Sequence, residues 1–356
     1  MFRYRDEKIA SKIVSKLKAM SLNIRVMHVC GTHQDTLVRF GLEELLKGTG
    51  VEIRQGPGCP VCVTTPKEIE EAILLAKKGF VIASFGDVIR VPGAKYSLAD
   101  TRALGYKIKV VYSVDDAIEL TRKSNNKVVF LAIGFETTAP STASAILNSP
   151  PENFSILCCH RLIPPALKAI IELGELKLHG LIEPGHVSTV IGAKPYEFIS
   201  KNYKIPQVIA GFEPLDLLMG VYMIARQIKD KNPKVEIEYK RSVKYEGNKK
   251  AQNIMNEVFE PCDVAWRGFP VISQSGLALR DEFERYDARK NFEAQLKELE
   301  SIELKEPKGC KCGEILRGLL DSKDCPLFGK RCTPATPVGP CMVSREGNCN
   351  IRFRYG

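Results

Sequence analysis

Apolar residues recur at helical spacing over residues 5–20, where Ile9, Ile13, Leu17 and Met20 share one face, and this predicts an amphipathic helix. The pattern then changes to short continuous apolar runs. Residues 24–29 read as a strand that runs straight into Cys30-Gly-Thr-His33, followed by a helix over 34–46. A strand at 51–54 ends in Gly56-Pro-Gly-Cys59-Pro, and a helix over 66–78 opens on Pro66, which suits a first helical turn. Further strands are expected at 80–84, 108–112, 128–133, 155–159, 181–182 and 207–210, with helices over 164–173 and 215–229. Apolar strands alternating with helices of this length predict an α/β fold with parallel sheets covered by helices. Four strands fall in each half, and Gly-Phe-Glu follows a strand at both 134–136 and 211–213. Two similar α/β domains are therefore expected, 1–120 and 121–235, with the boundary in the polar loop 123–127. After residue 240 the pattern changes. Helices are expected at 247–259 and 281–300, and 307–349 is rich in Gly, Pro and Cys without a period. Such a segment lacks the apolar side chains for a core and needs a metal or cross-links, so 236–356 forms a third, helical and Cys-rich domain.

The chain of 356 residues is 44% hydrophobic, enough to fill such cores. It has no run of 18 apolar residues, and its charged start lacks the apolar stretch of a secretory signal, so a cytoplasmic protein is expected. The net charge of +10 comes from Lys and Arg interleaved with Asp and Glu, which reads as a solvated basic surface. No nucleic-acid or membrane binding is expected, and the protein alone is expected to be a monomer. An acidic partner protein stays open.

Twelve cysteines change the picture, because disulfides rarely persist in the cytoplasm and clustered cysteines there point to metal or redox chemistry. Cys310, Cys312, Cys325, Cys332, Cys341 and Cys349 crowd into the C-terminal segment. Soft thiolates suit an iron–sulfur cluster or zinc, and with no histidine beyond His186 a zinc site would be all-thiolate. Cys59-Pro-Val-Cys62, between a strand and a helix, has the spacing of a thiol–disulfide exchange site, or of half a zinc site. Cys30 stands at the end of a strand, where ligand sites of open α/β sheets lie. It is a candidate nucleophile or metal ligand, with His33 as its base or orienting group. Glu136, Thr137, Thr138, His186 and Glu213 close other strand-end loops and either face the same crevice or cap their helices. Cys158-Cys159-His160 reads as structural. No phosphate-binding Gly-x-x-x-x-Gly-Lys-Ser/Thr loop and no Gly-x-Ser-x-Gly is present, so neither ATP hydrolysis nor serine hydrolysis has a visible basis.

Taken together, Cys30-Gly-Thr-His33, Gly56-Pro-Gly-Cys-Pro-Val-Cys62, Gly134-Phe-Glu-Thr-Thr138, Pro184-Gly-His-Val-Ser188, Gly211-Phe-Glu-Pro214 and Cys325-Pro-Leu-Phe-Gly-Lys330 resemble the nickel–iron hydrogenase maturation factor family HypD, in order and from about residue 5 onward. The resemblance implies two α/β domains and a third that holds a 4Fe–4S cluster. It implies a scaffold and redox protein for assembling the Fe(CN)2CO unit of the hydrogenase, a maturation factor with thiol redox activity rather than a conventional turnover enzyme. HypC would form a stable complex, with the iron held between the two proteins. HypE would bind transiently and deliver cyanide made by HypF. By motif, Cys30 would hold the transient iron with its cyanide and carbon monoxide ligands, and Cys59 and Cys62 would be a redox pair beside it. Cys310, Cys325, Cys332 and Cys349 would hold the cluster. Cys312 and Cys341 would form a disulfide next to it, as in ferredoxin–thioredoxin reductase. Gln34 departs from the acidic residue common after the histidine in this family. Two rivals stay open: a ferredoxin-linked thiol–disulfide oxidoreductase independent of hydrogenase maturation, and a zinc-stabilised binding protein.

Overall fold

The computed structural model describes residues 5–299, 304 and 306–356. Eleven strands occur among them: β1 Ile24–His28, β2 Val51–Gln55, β3 Val81–Phe85, β4 Ile108–Val111, β5 Val128–Gly134, β6 Phe154–His160, β7 Gly180–Pro184, β8 Gln207–Ala210, β9 Val235–Ile237, β10 Phe259–Ala265 and β11 Val271–Leu279. The first sheet is parallel, in the order β2-β1-β7-β8-β9, with Val26 opposite Ile53 on one side and Gly180 on the other. The second is parallel, in the order β4-β3-β5-β6, with β5 and β6 in register from Val128–Phe154 to Gly134–His160. β5, β6 and β7 are buried at every position, so their near-unbroken apolar runs are what strands covered on both faces require.

The two parallel α/β units expected from the sequence are present, but their strands are shared out differently. The chain leaves the first sheet after β2, builds the whole second sheet from β3 to β6, and returns at β7. A division at residue 120 therefore cuts through the second sheet. An apolar run identifies a strand; which strand it pairs with depends on packing between distant segments.

The helix Glu7–Met20 is capped by Asp6, whose Oδ1 accepts from the amides of Lys8 at 2.8 Å and Ile9 at 3.1 Å. Its buried Ile13 and Leu17 sit in one core with Leu217 and Val221 of the helix Pro214–Lys229, against the first sheet. The helix expected at 34–46 begins earlier, at Gly31, and breaks at Gly41, whose φ of +62° stops Gly31–Arg39 and starts Leu42–Leu46.

The helix expected at 281–300 is instead a series of short turns from Asp281 to Leu299, with residue 300 outside the described residues. Extended backbone at Asp287 interrupts it. There Arg289 turns inward to donate to Glu71 and to the Cys158 carbonyl, tying the segment to the second sheet. The region 236–356 also holds an antiparallel hairpin, β10–β11, which packs on β6. Its C-terminal part packs back on the first sheet's side, with the helix Asn348–Tyr355 lying along Gly31–Arg39.

Candidate functional site

In each sheet the strand order reverses beside its first strand: β1 has β2 on one side and β7 on the other, and β3 has β4 and β5. A crevice opens at the carboxyl ends of strands at such a point, because successive connections leave to opposite faces. Cys30 follows β1 and Asp87 follows β3, so each occupies a switch point. Two adjoining cavities of about 440 and about 490 Å³ lie there, and Pro60, Thr137 and Glu346 line both.

Cys30 opens the first cavity as the N-cap of Gly31–Arg39. Burial, reinforced by the Glu346 carboxylate, pushes its thiol up to about 11, while the amides of His33 and Thr32 and the Thr32 hydroxyl pull the other way. At neutral pH the sulfur carries a proton, and binding a metal would displace it. Two glycines bring the neighbouring chains against it. A Cβ on Gly58 would lie 2.2 Å from the Cys30 nitrogen, and one on Gly31 would lie 2.5 Å from Glu346 Cβ. The Gly31 amide donates to the Gly58 carbonyl at 3.3 Å.

The next residue, Cys59, forms a disulfide with Cys62, with Cα atoms 5.2 Å apart and both residues fully buried. Cys59 caps the short helix Pro60–Val63, and its Sγ accepts from the Cys62 amide at 3.1 Å. That helix packs against Cys312–Leu316 and Pro340–Val343, so the first thiol pair touches the elements that carry Cys312 and Cys341.

The six C-terminal cysteines gather in one place. Cys312 Sγ is in hydrogen-bond contact with Cys310 and Cys341, and Cys341 with Cys349. Cys325 and Cys332 lie within electrostatic reach of their neighbours, and Cys332 Sγ accepts from the Val338 amide at 3.3 Å. Contact with Cys310 and Cys341 draws the Cys312 thiol down and pushes theirs up. Cys312 and Cys341 touch as free thiols and are not joined. Among the described residues no three His, Cys, Asp or Glu side chains already surround one point as metal ligands.

His33 does not face Cys30 as a base. Its Nε2 lies 3.2 Å from the Ala210 carbonyl and 3.0 Å from that of Gly211, and burial pulls the ring down to about 3, so it is a neutral donor holding the end of β8. Only its backbone amide serves Cys30. Phe212 lies between His33 and His186, with ring centroids 5.0 and 3.8 Å away. His186 lines the first cavity, as its strand-end position predicts.

Glu136 turns away from the crevice. Its Oε1 accepts from the Ile163 amide at 2.9 Å, and burial pushes the carboxyl up to about 7. The neighbouring Thr137 lines both cavities instead. Glu213 takes the capping reading: it is the N-cap of Pro214–Lys229 and pairs with Arg5. Thr138 Oγ1 donates to the Phe135 carbonyl at 3.2 Å. Cys158 and Cys159 are buried at the end of β6, as expected for structural residues.

Sequence reasoning missed Asp87 and Glu346. Asp87 stands right after an apolar strand and the strand-end rule would have found it. Glu346 sits in the aperiodic Cys-rich segment, where no pattern marks it, and tertiary packing alone brings it to Cys30. Burial pushes both carboxyl groups up, and the Asp87 charge adds to the effect at Glu346.

Residues 6–356 match the sequence model of HypD, the hydrogenase formation hypA family. A protein of Methanocaldococcus jannaschii named for hydrogenase expression/formation is 45% identical, over 100% of this chain and 99% of its own length. The hydrogenase maturation factors HypD2 of Bradyrhizobium diazoefficiens and HypD of Cupriavidus necator are each 40% identical, over 99% of this chain and 96% of theirs.

Proposed function

Since the chain belongs to the HypD family of hydrogenase maturation factors, we propose that it is the scaffold on which the Fe(CN)2CO unit of a nickel–iron hydrogenase is assembled. One observation carries this reading. Cys30 opens a cavity at a switch point, the Cys59–Cys62 disulfide lies on the adjoining loop, and that loop packs against the elements of Cys312 and Cys341. The thiols proposed as metal ligand, two-electron pair and cluster site are thus carried by elements that touch one another in succession.

Iron is the substrate. Cys30 holds it as a thiolate, a soft ligand suited to iron that carries cyanide and carbon monoxide. Its sulfur gives up a proton on binding, and among the described residues Glu346 is the one carboxyl group lining that cavity. HypC closes the cavity and supplies further ligation, and HypE brings cyanide as a thiocyanate on a cysteine. Releasing cyanide breaks the S–C bond and takes two electrons: thiocyanate and the Cys59/Cys62 dithiol give the partner's thiol, cyanide, one proton and the Cys59–Cys62 disulfide. A Cys59–Cys62 disulfide, as the structure has it, is what such a step would leave. The disulfide must then be reduced from the C-terminal side.

The donor set there fits a 4Fe–4S cluster. It is all sulfur, the six cysteines are gathered in one place, and a backbone amide already points at Cys332 Sγ. Cys310, Cys325, Cys332 and Cys349 would hold it after side-chain rotation, leaving Cys312 and Cys341 as the adjoining thiol pair. The cluster would supply electrons one at a time to that pair.

The test is an infrared spectrum of the protein purified without oxygen after co-expression with the maturation partners, compared with Cys30→Ala. Cyanide and carbon monoxide stretches in the first and none in the second are expected. No bands in either, with partners bound, would overturn the scaffold and favour an independent thiol oxidoreductase.

A further inference from the structure

Trp266-Arg267-Gly268 follows β10 and enters the interior between the two thiol pairs. The Arg267 amide donates to the Val63 carbonyl at 2.8 Å, and its Nε donates to the Thr64 carbonyl at 2.8 Å, just past Cys62. On the other side the backbone of Gly268 lies against that of Gly313, so close that a Cβ on Gly268 would be 2.3 Å from Gly313 Cα. Arg267 therefore bridges the end of the Cys62 helix and the start of the Cys312 helix. Its guanidinium is fully buried. Nη1 donates to Glu306 at 2.6 Å, and Nη2 has no hydrogen-bond partner among the described residues. A clamp alone needs the two backbone contacts and not a buried charge with a spare donor. Cys312 is itself buried, and it directly precedes the Gly313 against which the chain carrying this charge is pressed.

We propose that Arg267 is a positioning residue for thiol–disulfide exchange between the two pairs, holding Cys62 and Cys312 in register and supplying a fixed positive charge to the dry interior where the exchange runs. This rests on the redox relay proposed above. In the first step Cys312 thiolate attacks Cys62 Sγ. The Cys59–Cys62 bond breaks and its electron pair leaves on Cys59, whose sulfur already accepts from the Cys62 amide. Cys341 thiolate then attacks Cys312 Sγ and releases Cys62 as a thiolate. The Cys59–Cys62 disulfide is reduced, the Cys312/Cys341 dithiol is oxidised, and two protons pass between the pairs. One negative charge moves through a region where all four cysteines are buried, and a preset cation there lowers the barrier without solvent reorganisation.

The experiment uses the full-length, cluster-loaded protein carrying Cys341→Ser, in which the Cys62–Cys312 mixed disulfide has no forward resolution. Its formation after a pH jump is followed by acid quench and peptide mapping. The cross-link is expected with Arg267 in place. Arg267→Gln should slow its formation by roughly 10–100-fold, the cost of losing alignment by about 1 Å, and Arg267→Lys should restore part of the rate by keeping the charge. Glu306→Gln guards against a variant that merely misfolds. It leaves the bonds to Val63 and Thr64 intact and removes the opposing anion, so exchange should accelerate severalfold. Unchanged rates in Arg267→Gln, or no acceleration in Glu306→Gln, overturn the role of Arg267 and leave the relay standing. No cross-link even with Arg267 present overturns the relay itself.

Discussion

Replacing Gly58 by Ala tests the claim that the site depends on two loops pressed backbone to backbone. The new methyl carbon would sit 2.2 Å from the Cys30 nitrogen and the Val29 carbonyl carbon, and 2.4 Å from Cys30 Cα. Comfortable separation is about 3.5 Å, so the loops must part by more than about 1 Å. Both sides are main chain, and no side-chain rotation relieves the clash. Overpacking of this kind costs about 3 kcal/mol, and losing the Gly31–Gly58 hydrogen bond adds about 1 kcal/mol. The same displacement separates Cys30 from the Cys59–Cys62 pair, which under the proposed scaffold role should cut assembly of the iron unit about 100-fold. Urea unfolding reads the first quantity, and the infrared bands of the iron unit read the second. Gly220→Ala is the control. It lies inside the helix Pro214–Lys229, its Cβ would meet only side-chain carbons at 3.3 Å and beyond, and the helix gains about 0.5–1 kcal/mol from the exchange. A Gly58→Ala protein within about 1 kcal/mol of wild type, with its infrared bands intact, would refute the reasoning.

Two further outcomes follow from buried charge. Arg161, with its side chain 3% exposed, donates to Glu68 at 2.6 Å and to the Ala265 carbonyl at 2.9 Å. Arg161→Met leaves Glu68 buried without its nearest cation and should cost about 3–5 kcal/mol in urea unfolding; combined with Glu68→Gln, the loss should be clearly less than the sum of the two single changes. Glu136 has a folded-state value of about 7, above the 4.5 of an ordinary glutamate, so its contribution to stability is fully present below pH 4.5 and is lost as pH rises through 7. Glu136→Gln removes that dependence, and its stability relative to wild type should rise by up to about 3 kcal/mol between pH 4 and pH 8. A pH-independent difference would show that the carboxyl is not buried as described.

Much of the fold was legible because its signals are local. The strand preceding Cys30, the Pro66 helix and the apolar runs of β5 and β6 follow from residue type and spacing over a few positions. The segment 281–300 shows the limit. Its charged residues suit a solvated helix, yet Arg289 has a buried partner in Glu71, more than two hundred residues earlier, and the chain bends to reach it. The His33 side chain was misplaced for a similar reason. Its position next to Cys30 in sequence invited a catalytic pairing, but a helix start turns its side chain toward the β8 carbonyls and leaves only its amide for the sulfur.

The reactive groups themselves were legible in the amino-acid sequence. It supplied three groups of thiols, the strand-end position of Cys30, the Gly-Pro punctuation that makes the Cys59 loop tight, and a C-terminal segment unable to form an apolar core. Tertiary structure alone decided which of these meet. It interleaved the two sheets, set Cys30 and Asp87 at switch points beside two adjoining cavities, carried Glu346 from the C-terminal segment to the Cys30 cavity, and lodged Arg267 between the segment that follows Cys62 and the one that follows Cys312. The physical reason is that hydrophobic periodicity and turn chemistry act over a few residues, whereas strand order and the burial of a charge are settled by the free energy of the whole packed chain.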